Sequence, residues 1–197
     1  MADIIPFPSL GFVADEIPYE LFEDLCESVY KSKKRGNEVN HILVGQIAEE
    51  YKLRCSPPLL EYLSGLANKY NKEFGYGDWT GKYKVTGMWA NFQKKHEFNP
   101  VHKHTGDFSF VIWIKIPYDL EEESKQIHTK NAMHNRTAQF SFYYTDVLGA
   151  ITDYNLRVDS KYEGKIVLFP AKLCHSVQPF YTTDEERISV AGNLRLT

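Results

Sequence analysis

Three histidines, an arginine and a serine are the residues of this chain whose types and order could do chemistry. His102 and His104 stand two apart, His175 lies far downstream, and Arg187 and Ser189 follow it, again two apart. On an extended strand, residues two apart point to one face, roughly 6.6 Å from each other along the chain, so two imidazoles placed this way can share one metal. His175 opens a second extended stretch directly after a turn, where its ring can point into a barrel mouth. Neutral imidazole suits divalent transition metals, so the three histidines together describe a non-haem iron site. A guanidinium grips a carboxylate through two parallel N–H bonds, and a hydroxyl on the same face adds a donor. Arg187 and Ser189 therefore read as a carboxylate clamp for a small co-substrate. Their neighbours Ile188, Val190 and Ala191 are apolar, which buries the arginine and leaves it in need of an anion.

Each of these residues also has a plainer reading. His102 and His104 sit near Lys94, Lys95, His96 and Lys103, as a solvated loop would. Arg187 has Asp184, Glu185 and Glu186 at hand for an ordinary ion pair. A second tier of candidates surrounds the main set. Asn91 could hydrogen-bond the co-substrate from a neighbouring strand, Trp113 could wall the pocket, and Lys115 could replace Arg187 as the anchor.

Two kinds of element must position these groups. Residues 1–78 form an expected helical support region. Apolar residues recur at helical spacing over 18–34, with Gly36 as a stop, and a shorter amphipathic stretch covers 42–53. Ser56-Pro57-Pro58 is a strong helix start, serine as cap and proline in the first turn. From residue 79 onward the texture is that of strands, over 83–92, 108–117, 139–145, 165–169, 175–181 and 187–196, with a weaker one over 150–158. Glycine, proline and aspartate separate them, which predicts a sandwich or barrel and not a parallel α/β sheet. Residues 119–138 are long, polar and unpatterned, the expected place for a lid or substrate clamp.

Composition sets the outer bounds. A chain of 197 residues is sized for one domain, here 1–197, and the 13 Tyr and 12 Phe suit a β-rich core. The net charge of −3 argues against nucleic acid as the main partner. No apolar run approaches the ~20 residues that span a bilayer, so no membrane partner is expected. Residues 1–6 lack the charged and apolar regions of a secretory leader. Cys26, Cys55 and Cys174 have no metal-site spacing and cannot all pair, which fits a reducing cytoplasm.

In sequence order, five segments carry a family resemblance. They are Met88-Trp89-Ala90-Asn91-Phe92, Asn99-Pro100-Val101-His102-Lys103-His104, Ser109-Phe110-Val111-Ile112-Trp113, Gly164-Lys165-Ile166-Val167-Leu168-Phe169-Pro170, and the stretch from His175 through Arg187-Ile188-Ser189 to Asn193. The chain resembles the Fe(II)/2-oxoglutarate-dependent oxygenases, most closely the small prolyl-hydroxylase-like family of bacteria and bacteriophages. The resemblance implies a double-stranded β-helix (jelly-roll) core with helices outside one sheet. It also implies Fe(II), 2-oxoglutarate and O2 as the cofactor set, and decarboxylation of 2-oxoglutarate to succinate coupled to C–H hydroxylation. The substrate would be a protein side chain or a small molecule, and the location the cytoplasm, that of the host cell if the chain is phage-encoded.

One departure from the family pattern stands out. The usual triad is His-X-Asp/Glu with a distant His, and here the acid position holds His104. Three arrangements are open: His104 as the third ligand, Asp107 after the Thr105-Gly106 turn, or water in the third place; spacing favours His104. Two other readings stay open: a three-histidine cupin-type metalloenzyme that does not use 2-oxoglutarate, and a non-catalytic jelly-roll binding module.

Overall fold

The computed structural model describes residues 10–75 and 77–197. Among the described residues, ten strands form two antiparallel sheets. The major sheet contains β1 (Val13–Glu16), β2 (Glu50–Lys52), β3 (Tyr83–Gln93), β5 (Phe108–Lys115), β8 (Lys165–Pro170) and β10 (Arg187–Leu196), in the spatial order β1-β8-β5-β10-β3-β2. The minor sheet contains β4 (Asn99–His102), β6 (Phe140–Thr145), β7 (Ile151–Leu156) and β9 (Cys174–Val177), in the order β4-β9-β6-β7.

Helices α1 (Tyr19–Arg35) and α2 (Pro57–Glu73) cover the major sheet. The Ser56 side chain accepts from the Leu59 N–H, and Gly36 ends α1 in the left-handed region at φ 69°, so both helix boundary signals act as their chemistry requires. The strand alternation of side chains then divides the core. Phe110 and Ile112 of β5, with Ile166 and Leu168 of β8, pack under Leu63 of α2 and Val29 of α1. Val111, Trp113, Val167 and Phe169 from the same strands face the other way, onto Phe140 and Phe142 of the minor sheet. The central strands are thus buried on both faces, which is why they read as unbroken apolar runs. Gly192 is required where β10 crosses this layer. A side chain there would meet a Phe110 ring carbon at 2.6 Å and the Gly87 carbonyl at 2.8 Å.

Six of the seven expected strands fall within two residues of their predicted bounds; the one expected over 175–181 stops at Val177, β4 is additional, and the N-terminal region does more than support them. Both edge strands of the major sheet, β1 and β2, come from it. The amphipathic stretch over 42–53 is no helix. A single 3-10 turn, Asn40–Ile42, is followed by an irregular segment and then by β2, whose Glu50, Tyr51 and Lys52 pair with Asn91, Ala90 and Trp89. Pairing with β3 wins over helical spacing because the free edge of β3 needs backbone partners. The polar segment 119–138 includes a short helix, α3 (Leu120–Ser124), and is tied down at both ends. Glu123 accepts from Tyr181 and Thr182, and the Ala138 carbonyl accepts from Tyr118 and Arg187. No helix among the described residues is long and apolar enough to cross a membrane, and Cys26, Cys55 and Cys174 are all free.

Candidate metal centre

The minor sheet brings the histidines together. His102 ends β4 and is the direct cross-strand partner of His175 on β9, and the chain turns just after it to place His104 beside both. Ring centroids lie 4.3 Å apart for His102 and His175, 4.8 Å for His102 and His104, and 5.1 Å for His104 and His175. One ligating atom from each lies within 4.8 Å of the others. No carboxylate among the described residues joins this group.

Two hydrogen bonds orient the rings. His102 Nδ1 is 2.7 Å from the Pro100 carbonyl, and His175 Nδ1 is 3.0 Å from the Leu173 carbonyl. A carbonyl only accepts, so Nδ1 carries the proton and Nε2 keeps its lone pair, the arrangement a metal ligand needs. Burial drives all three toward the neutral form. His175 falls to about 3, through burial and then the neighbouring His102, and His104 falls to about 4 for the same reasons. His102 is lowered by burial, against the opposing pull of the Pro100 carbonyl. Aromatic rings hold the set in place: Phe140 stacks on His175 at 5.5 Å, and Trp89 meets His104 edge-on at 5.7 Å. Three neutral, converging imidazoles, two of them with preset tautomers, fit a divalent transition metal.

Four other predicted residues line the cavity that the histidines border. Arg187, Ser189, Asn91 and Trp113 all border it together with the histidines. Arg187 is only 3% exposed. Its Nε and Nη2 donate to Gln93 Oε1, Nη2 also to the Gln178 carbonyl, and Nη1 to the Tyr118 hydroxyl and the Ala138 carbonyl. All five N–H groups are used, yet every acceptor is neutral. The nearby acids are engaged elsewhere: Asp184 pairs with Lys95, Glu185 with Lys115 and Glu186 with Lys33. That removes the ion-pair reading of Arg187. It also places Lys115 on the outside, away from the cavity. Ser189 accepts at its hydroxyl from Asn91 Nδ2 at 3.2 Å, leaving its own O–H to donate. Asp107 points away, its carboxylate accepting from the Leu196 N–H at 2.7 Å, so the turn does not bring it to the histidines.

Some residues of the site carried no signal in the sequence. Gln93 and Tyr118 fix the guanidinium from behind the cavity lining. Glu50 lines the cavity from β2, 1% exposed, with Oε2 buried and unpartnered. Burial, aided by the charge of Glu97, lifts its carboxyl to about 7.

Residues 87–193 match the 2OG-Fe(II) oxygenase family model. A comparison of the sequence with curated proteins gave no match. Among solved structures, the fold is similar to a Pseudomonas putida prolyl-4-hydroxylase, with TM-score 0.62 and 14% identity over 96% of this chain and 94% of that one. It is similar to the viral collagen prolyl hydroxylase of Paramecium bursaria Chlorella virus-1, solved with 2-oxoglutarate, at TM-score 0.54 and 10% identity over 94% and 96%. HygX from Streptomyces hygroscopicus, solved with nickel, 2-oxoglutarate and hygromycin B, gives TM-score 0.54 and 8% identity over 95% and 84%.

Proposed function

The chain belongs to the 2OG-Fe(II) oxygenase family, and from that membership we propose which of its residues do the work. Family membership sets aside the two rival readings, a cupin-type enzyme without 2-oxoglutarate and a non-catalytic binding module. His102, His104 and His175 hold the iron, His102 and His175 through Nε2. The observation that carries this is the convergence of their three ligating atoms within 4.8 Å. Iron, 2-oxoglutarate and O2 together supply oxidative decarboxylation to succinate and CO2, coupled to hydroxylation of a substrate C–H bond.

The protein's part is placement. Arg187 and Ser189 receive the far carboxylate of 2-oxoglutarate. The guanidinium is held rigid by neutral oxygens and keeps an uncompensated buried charge, so an anion in the adjoining cavity supplies the missing counter-charge. The Ser189 O–H adds a donor on the same strand face. Trp113 walls the cavity, and the Phe140 and Phe169 rings around His175 exclude water from that side. With His104 where the usual triad has an acid, the ligand set is neutral. The substrate is a protein side chain or a small molecule, a breadth that the named neighbours share. The three free cysteines support a cytoplasmic location.

The test is anaerobic calorimetric titration of the Fe(II)-loaded protein with 2-oxoglutarate. Wild type should bind stoichiometrically. Arg187→Met, which removes the buried charge, should bind at least about tenfold more weakly, one decade being ~1.4 kcal/mol. Ser189→Ala should show a smaller loss. Unchanged binding in Arg187→Met would remove Arg187 from the clamp.

A further inference from the structure

Two buried oxygens of cavity-lining residues lack a donor. Glu50 Oε2 and Asn91 Oδ1 are both buried without a hydrogen-bond partner, and both residues line the cavity of the three histidines. They are direct cross-strand partners, Glu50 on β2 and Asn91 on β3. Opposite residues of an antiparallel pair stand on one face with Cβ atoms roughly 4.5–5.5 Å apart. The two orphaned acceptors therefore belong to neighbouring side chains on one face of the sheet. The Asn91 amide is fixed this way round, because Nδ2 faces the Ser189 carbonyl and hydroxyl at 3.5 and 3.2 Å, and the carbonyl can only accept.

Once the Glu50 carboxyl is ionised, both oxygens can only accept; an unmet buried acceptor is costly, and a pair of them calls for a donor. 2-Oxoglutarate cannot be that donor, since its carboxylates and keto oxygen only accept. A hydroxyl has one hydrogen and can serve one of the two oxygens. A nitrogen with two or more N–H bonds can serve both. We infer that Glu50 and Asn91 form the recognition wall for the prime substrate and select a group with at least two N–H bonds: a primary ammonium, a primary amide or a guanidinium. The inference rests on reading this cavity as the oxygenase site. Gly45 keeps the corner open, since a side chain there would meet Glu50 Oε1 at 3.1 Å and would collide with the Asn99 side-chain oxygen.

Three probes of equal chain length separate the chemistries: n-butylammonium, n-butyltrimethylammonium (charge without N–H) and n-butanol (a single O–H). Each is titrated calorimetrically into the anaerobic enzyme loaded with Fe(II) and 2-oxoglutarate, after the visible absorption of the iron–2-oxoglutarate chelate has been recorded. n-Butylammonium should bind at least tenfold tighter than either other probe. Glu50→Gln should erase that preference and leave the chelate absorption unchanged. Equal binding of the three probes to wild type overturns the inference, and this series decides alone if the variant does not fold. A retained preference in Glu50→Gln overturns it too. So does loss of the chelate absorption in that variant, which would make Glu50 part of the metal site. If wild type shows no chelate absorption but a Glu50-dependent preference for n-butylammonium, the recognition wall stands and the iron and co-substrate assignments fall.

Discussion

Glu123 and Glu50 are both buried carboxylates, at 0% and 1% exposure, and they differ in what meets them. Glu123, on α3, accepts from the Tyr181 N–H with both oxygens, and from the N–H and hydroxyl of Thr182. Glu50, on the cavity wall, leaves Oε2 with nothing. The first carboxylate is fully used by the fold, and it ties the polar 119–138 segment to the loop before β10. The second costs the fold stability and faces the site. A buried acid explains a structure when its lone pairs are filled from within, and points to a ligand when they are not.

The largest effect should come from breaking the satisfied member. Glu123→Ala leaves two backbone N–H groups and a hydroxyl without their acceptor. At ~1–3 kcal/mol for each unmet buried group, partly relieved by water, the loss should be about 3–5 kcal/mol. Urea denaturation checks it, and a loss under about 1 kcal/mol would mean that the clamp contributes little.

Glu50 should behave in the opposite sense. Its carboxyl titrates at 4.5 in the unfolded chain and at about 7 in the fold, so the fold prefers the protonated form. Stability is full below 4.5 and falls as pH rises through 7. Glu50→Gln, uncharged and of the same shape, should stabilise the metal-free protein by about 3 kcal/mol at pH 8 and by almost nothing at pH 4. Equal effects at the two pH values would show that the carboxyl already has a partner.

Glu49 gives the smallest and most instructive contrast. It is next to Glu50 in sequence, yet strand alternation turns it outward to Lys33 and Lys94 at 2.8 and 2.7 Å. Those lysines hold its carboxyl down at about 2. Its stabilisation is present above pH 4.5 and lost as pH falls through 2. Because solvent screens the pair, Glu49→Gln should cost only about 1 kcal/mol at pH 7. The same substitution at adjacent positions should thus have opposite signs at neutral pH, which thermal melts of the two variants can read directly.

The histidine cluster was legible because its cause is local. A two-residue spacing keeps His104 within reach of His102 although β4 ends at His102, and cross-strand pairing of His102 with His175 needs only the strands to meet. Strand parity put Arg187 and Ser189 on the cavity face. Glu50 was illegible for the complementary reason. Glu49-Glu50 reads as a solvated pair, and Ile42, Leu43, Ile47 and Leu53 imitate a helical stripe. Only the free edge of β3 draws this segment into a strand, and that edge is a tertiary fact. The partners of Arg187 were hidden likewise: Gln93, Tyr118, Ala138 and Gln178 come from four separate parts of the chain. Asp107 shows the limit of turn reasoning, since its carboxylate is taken by the C-terminal end of β10.

The proposed iron site is three imidazoles with no carboxylate. Anaerobic addition of Fe(II) and 2-oxoglutarate to four proteins tests it most directly, followed by the visible absorption of the chelate. Wild type and Asp107→Asn should develop the band at one iron per chain. His175→Ala should show none, and His104→Ala should show it only at much higher iron concentration. Loss of the band in Asp107→Asn with near-normal absorption in His104→Ala would contradict the account and return a carboxylate to the site.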